Sequence, residues 1–195
     1  MKKKNIYAIL MILICSLFIS IPVAAKTQNV TKVTKKVFTV SNSRYYYRYY
    51  GYNSSGRKVW TYKTETTSYT ELSGSDIDKK PIIKNGLVYI GMNTRVIALN
   101  KNTGKVSWKT KKNTIGMITD YCFDKSGNIY ICGYYGPDLV KISKKGKVGW
   151  RKEHVVNSSY YWTYDVRIKS NYLLLTYDYP RTIQVKVSMK TGKRL

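Results

Sequence analysis

The chain has 195 residues, 35 of them Lys or Arg against 10 Asp or Glu, which gives a formal charge of +25; it has one His and three Cys. The length supports one domain with one substantial core. So large a positive surplus governs association with anionic partners rather than chemistry, and no Gly-x-Ser-x-Gly, His-Glu-x-x-His or zinc-type cysteine pair occurs.

Residues 1–25 read as a targeting segment. Lys2, Lys3 and Lys4 form a positive start, Ile6 to Ile21 is an uncharged apolar run, and Val23-Ala24-Ala25 offers small residues for cleavage. The run is 16 residues long, short of the ~20 that cross a bilayer, so a cleaved signal peptide is preferred over a permanent anchor. Leu13-Ile14 before Cys15 is a poor approach to lipid attachment. Cleavage would leave 195 less 25, or 170 residues, and loss of three lysines takes +25 to +22. The expected location is secreted or on the extracellular surface. The matching partners are a protein or an anionic cell-wall polymer; export argues against nucleic acid, and membrane contact would come only through an uncleaved signal segment.

Downstream, the chain repeats itself. Gly56-Arg57-Lys58-Val59-Trp60, Gly104-Lys105-Val106-Ser107-Trp108 and Gly146-Lys147-Val148-Gly149-Trp150 carry tryptophans 48 and 42 residues apart. Gly86-Leu87-Val88-Tyr89-Ile90 matches Gly127-Asn128-Ile129-Tyr130-Ile131, and Val96-Ile97-Ala98-Leu99 matches Leu139-Val140-Lys141-Ile142. A fourth copy runs through Tyr172 to Leu175, Ile183 to Val187 and Thr191-Gly192-Lys193. The approximate units are 30–63, 64–112, 113–153 and 154–195, all strand.

In the second unit, strand A is expected near Lys80 to Ile83 and Lys84-Asn85-Gly86 makes a tight turn. Strand B, Leu87 to Gly91, is continuously apolar and so internal; strand C is Arg95 to Leu99, and strand D carries Trp108. One four-stranded sheet cannot cover such side chains, so neighbouring sheets must stack face to face around an axis, as the blades of a β-propeller.

The run Gly86 to Trp108, with Gly-x-Val-Tyr-Ile-Gly followed by Ala-Leu-Asn-x-x-Thr-Gly-Lys-x-x-Trp, resembles the PQQ-like repeat of quinoprotein dehydrogenases and of non-enzymatic propeller scaffolds. The resemblance extends from about Val30 to the C-terminus and implies an all-β propeller of four-stranded antiparallel blades, about four present, the last incomplete. Asn100 departs from the family's usual aspartate, and the first unit is a tyrosine cluster from Tyr45 to Tyr52. The chain stops one residue before the tryptophan expected after Gly192. The expectation is a truncated product or the N-terminal part of a longer propeller; the alternative is a ring closed by strand Lys32 to Val40, or by self-association with a second copy.

No catalytic residue, cofactor site or metal site is assigned. His154 is read as a junction residue, and Asp76 and Asp78 as loop carboxylates. With the hairpin centred on Asp124 to Gly127, Cys122 would pair with Ile129 and Cys132 would lie on the other sheet face. That favours free thiols, although a register change of one residue would bring the two onto one face and leave a disulfide open. In an up-and-down blade the A–B and C–D turns share one face of the ring. Arg57, Lys84, Lys101, Lys105, Lys125, Lys144, Lys145, Lys147, Lys190 and Lys193 would form a basic annulus there, suited to a polyanion. The opposite face presents B–C loops with Tyr134, Tyr135 and Asp138 in the third unit and Tyr177, Asp178, Tyr179 and Arg181 in the fourth, suited to a sugar or peptide. The preferred function is a non-catalytic binding scaffold, with a fragment of a PQQ-dependent quinoprotein dehydrogenase as the alternative.

Overall fold

The computed structural model describes residues 28–41, 44–68, 80–92, 94–156, 162–178 and 181–195. The targeting segment with Cys15, the carboxylates Asp76 and Asp78, and Tyr179 lie outside them. The described chain is all strand and forms four antiparallel sheets.

The second and third sheets are complete blades. β5 (Ile82–Lys84), β6 (Leu87–Met92), β7 (Arg95–Asn100) and β8 (Val106–Lys109) pair in sequence order. So do β9 (Met117–Phe123), β10 (Ile129–Tyr134), β11 (Leu139–Ile142) and β12 (Val148–Lys152). The β5–β6 turn is Asn85-Gly86 with φ of 51° and 76°, the left-handed pair that a two-residue hairpin requires. The other two sheets have three main strands. In the fourth, β13 (Thr163–Lys169), β14 (Tyr172–Tyr177) and β15 (Ile183–Ser188) supply strands A to C, and a single bridge, Val187 to Arg194, begins the next strand.

The first sheet contains β1 (Val30–Ser41), β2 (Arg44–Asn53) and β3 (Lys58–Lys63), with the two-residue β4 (Thr67–Ser68) beside the start of β2. Because β3 carries Trp60, these three correspond to strands B, C and D. The segment Lys32 to Val40 pairs with β2 from Lys32↔Tyr52 to Thr39↔Tyr45 and with no strand of the fourth sheet, which corrects the ring-closing alternative. Alternation of buried and outward tyrosines commits β2 to this sheet: Tyr45, Tyr47 and Tyr49 point into the core.

The sheets stack in chain order. Val88, Ile90, Ile97 and Leu99 of the second sheet meet Tyr45, Tyr47, Tyr49 and Trp60 of the first. From its other face, Tyr89, Val96 and Ala98 meet Ile118, Ile129, Ile131 and Val140 of the third. Tyr130, Cys132 and Leu139 then meet Val166, Leu173, Leu175 and Val185 of the fourth. Strands β6 and β7 are therefore covered on both faces, which is why their sequences lack polar alternation.

One contact recurs at each junction. The Trp60 indole N–H donates to the Lys101 carbonyl at 2.7 Å, Trp108 to Lys144 at 3.1 Å and Trp150 to Met189 at 3.2 Å. Each ring lies against a left-handed glycine in the next sheet's C–D turn: Gly104, Gly146 and Gly192 respectively. A Cβ on any of these glycines would fall within 2.8 Å of an indole carbon. The repeated Gly-x-x-x-Trp spacing thus encodes a strand whose tryptophan docks under the turn of its successor.

Candidate functional site

The turn face forms as its residues require. Gly127 lies beside Asn85 in the neighbouring blade's A–B turn and beside the Lys144 side chain in its own blade's C–D turn, so these turns converge. On this face Arg57, Lys105, Lys125, Lys144, Lys145 and Lys147 are exposed, as are Lys190 and Lys193. The other two are engaged: Lys84 is half-buried with Nζ 4.7 Å from the Phe123 ring centroid, and Lys101 donates to Asn29 Oδ1 at 2.6 Å. Both brace neighbouring segments, so fewer free cations stand here than the sequence suggested.

The loop face is organised by close backbone approach. A Cβ on Gly116 would lie 2.3 Å from the Tyr134 carbonyl oxygen, and one on Gly133 would lie 2.6 Å from that of Met117. Gly116 N–H donates to the Pro137 carbonyl at 3.0 Å. These contacts bring the β10–β11 loop onto the β8–β9 connection, and within that loop Tyr135 takes φ 55°, a left-handed conformation costly for an aromatic residue. The strained turn projects Tyr135, 73% exposed, beside Trp162, 46% exposed. Tyr134 stacks on Trp162 at 5.7 Å with planes 26° apart, and Tyr135 meets both rings edge-on at 5.0 and 6.4 Å. Asp178 N–H donates to the Trp162 carbonyl at 3.1 Å, which places the exposed Asp178 at the end of this aromatic ledge. Arg181 is exposed in the following segment.

Two residues expected on this face are structural instead. Tyr177 is the last residue of β14, where Leu173, Leu175 and Tyr177 share the inward face and all are 0% exposed. Asp138 is buried, and its Oδ2 accepts from the Val155 N–H at 3.2 Å, tying the loop to the start of the next connection. Burial lifts the Asp138 carboxyl to about 6, against the pull of that N–H and of nearby His154. Trp162 was not singled out in the sequence because it falls outside the Gly-to-Trp spacing; that misfit was the available signal.

The cysteine hairpin also differs from expectation. Asp124 accepts from the Asn128 backbone and side-chain N–H groups at 2.9 and 2.7 Å and from Tyr130 Oη at 3.2 Å. This closes a five-residue turn with Phe123 paired to Ile129, so Cys122 pairs with Tyr130 and Cys132 with Asp120. The two thiols share one face but are diagonal rather than opposite, and they are not joined in a disulfide. Burial, with Asp120, Asp165 and Asp124 nearby, pushes the Cys122 thiol up to about 12. His154 is exposed. Among the described residues no group of three or more His, Cys, Asp or Glu side chains is placed to hold a metal ion.

Four stacked antiparallel sheets, joined by a repeated tryptophan contact and carrying two loop faces of different chemistry, have the β-propeller fold, and the chain is similar in sequence to quinoprotein-type propellers. No family model matches the chain. Among curated proteins it is 33% identical over 95 residues to quinoprotein ethanol dehydrogenase of Pseudomonas putida, spanning 48% of this chain and 13% of that one. It is 26% identical over 105 residues to the outer membrane protein assembly factor BamB of Salmonella typhimurium, spanning 52% and 26%. Among solved structures, BamB from Moraxella catarrhalis matches with a TM-score of 0.52 at 18% identity, over 80% of this chain and 45% of that one. Quinohemoprotein alcohol dehydrogenase from Comamonas testosteroni matches at 0.56 and 15%, over 87% and 35%. The chain therefore spans less than half the length of each of these relatives.

Proposed function

We propose that this propeller is a non-catalytic scaffold, secreted or held at the cell envelope, that docks a protein on its loop face. The observation that carries the reading is the exposed ledge of Tyr134, Tyr135 and Trp162, held by a backbone conformation that costs stability. Strain at an exposed aromatic residue with no core role is accounted for by recognition, and rigid amphipathic rings are the side chains enriched at protein interfaces. Similarity to an outer membrane protein assembly factor supports a partner-docking role. The exposed turn-face lysines add a salt-sensitive attraction for an anionic wall polymer.

The test is site-specific photo-crosslinking in cells, with the photoreactive residue at position 135 and, as control, at exposed position 145. A defined protein adduct at 135 that is absent at 145 supports the reading. Equal adducts at both positions, or none at 135, refute it. Dye-linked alcohol oxidation after addition of pyrroloquinoline quinone and calcium would favour the quinoprotein dehydrogenase reading instead.

A further inference from the structure

A second feature lies on the outer rim, where no repeat motif pointed. Strand β8 forms one edge of the second sheet and β12 one edge of the third. Between them runs a groove of about 490 Å³, within the roughly 300–1,000 Å³ typical of ligand sites. Lys109, Lys111, Lys112 and Arg151 line it.

Its wall is built rather than loose. Thr110 Oγ1 accepts from the Val96 N–H at 3.0 Å, and Thr114 Oγ1 donates to the Lys111 carbonyl at 2.7 Å. The Asn113 N–H donates to Thr94 Oγ1 at 2.8 Å, and Arg151 reaches the Asn113 carbonyl at 3.4 Å. These bonds fix the backbone of the connection from which Lys111 and Lys112 project. Lys109 lies 3.7 Å from Glu65, and Arg151 3.0 Å from Glu153. No described carboxylate forms an ion pair with Lys111 or Lys112, although Glu65 acts on Lys112 at longer range; Lys109, Lys111, Lys112 and Arg151 outnumber the carboxylates Glu65 and Glu153, so the groove keeps a net positive charge.

We propose that this groove binds a short stretch of a linear, non-aromatic phosphate polymer. Fixed cations in a concave wall focus potential on an anion, and lysine ammoniums serve phosphate as point charges. The volume suits several linked units rather than one ion. Among the described residues no aromatic ring lines the groove, which gives no platform for stacking nucleobases, and Val148 is the only large apolar residue among them in the lining, too little for insertion into lipid. The site reaches the margin of the turn face at Gly146 but shares no residue with the loop-face ledge, so it stands or falls independently of the protein-docking proposal.

The probe is medium-chain inorganic polyphosphate, titrated calorimetrically into the chain at low and moderate salt. The exposed pair is replaced in a Lys111→Ala, Lys112→Ala variant, and a Lys32→Ala, Lys36→Ala variant removes the same charge from exposed positions of β1. The groove variant should lose about tenfold in affinity, the scale of two weakened charge-assisted contacts, while the β1 variant changes by less than about twofold. Binding should weaken as salt rises. Equal losses in the two variants would reduce the effect to diffuse surface charge, and no loss in the groove variant would overturn the site. Polyuridylate or phosphatidylglycerol vesicles bound as tightly as polyphosphate, with the same groove dependence, would overturn the polymer class.

Discussion

Substituting Gly146 and Gly56 by alanine separates the cost of an unfavourable backbone from the cost of displacing a docked tryptophan. The two glycines hold equivalent places in their C–D turns, with φ of 83° and 78°. In both turns the glycine N–H donates to the carbonyl three residues earlier, Ser143 or Asn53. Each alanine should therefore cost about 1–2 kcal/mol for a left-handed conformation. No described atom lies within 4 Å of a Cβ on Gly56, whereas one on Gly146 would lie 2.6 Å from Trp108 Cδ2. Carbon atoms pack best at about 3.5–4.0 Å, so the indole must retreat by roughly 1 Å. That overpacking costs about 1–3 kcal/mol and weakens the bond to Lys144, itself worth about 1 kcal/mol. Gly146→Ala should cost about 2–6 kcal/mol in total and Gly56→Ala about 1–2 kcal/mol. Urea unfolding followed in parallel by tryptophan fluorescence and circular dichroism would measure both. Equal losses in the two variants would refute the docking account.

Three further outcomes follow from buried or strained groups. The Asp138 carboxyl sits at about 6, above its ordinary value, so the native state binds a proton that the unfolded chain has released. Stability should consequently fall as pH rises from about 4 to about 6, and Asp138→Asn, which keeps an acceptor for Val155, should flatten that slope in thermal melts. Cys122 is held protonated with its thiol at about 12, and Cys132 is fully buried. Neither should react with a thiol reagent at pH 8 until the chain unfolds; fast labelling of the native protein would contradict the packing. Tyr135→Gly should raise stability by about 1 kcal/mol by releasing left-handed strain while weakening whatever binds the ledge. Chemical denaturation of that variant checks the strain directly.

The strand order within the complete blades was legible because glycine and tryptophan each do a fixed geometric task. Asn85-Gly86 can make the two-residue turn, and the Trp108 and Trp150 spacing marks the strand that docks on the next sheet. The first sheet was less legible, since the tyrosine run from Tyr45 to Tyr52 fits any two-sided strand until its partner is known. Tyr177 and Asp138 looked like loop residues because proline stands near both, and proline marks the loop without saying which neighbours remain in the core. The rim groove had no signature at all. It arises from residues on two different sheets, Lys109 to Thr114 and Gly146 to Arg151, which come together only through stacking.

The one-way reach of each indole makes the array behave as a chain of coupled units. Trp60 depends on the second sheet's turn, Trp108 on the third and Trp150 on the fourth, and none reaches backward. Damage to a turn therefore frees a side chain in the preceding sheet, while that sheet's own turn can stay intact. In a nearest-neighbour description, the coupling term at each boundary is written in one sheet and read in another. Loosening should thus appear in the blade on the N-terminal side of the damaged turn before the blade on its C-terminal side, and hydrogen exchange after a turn mutation should reveal that direction.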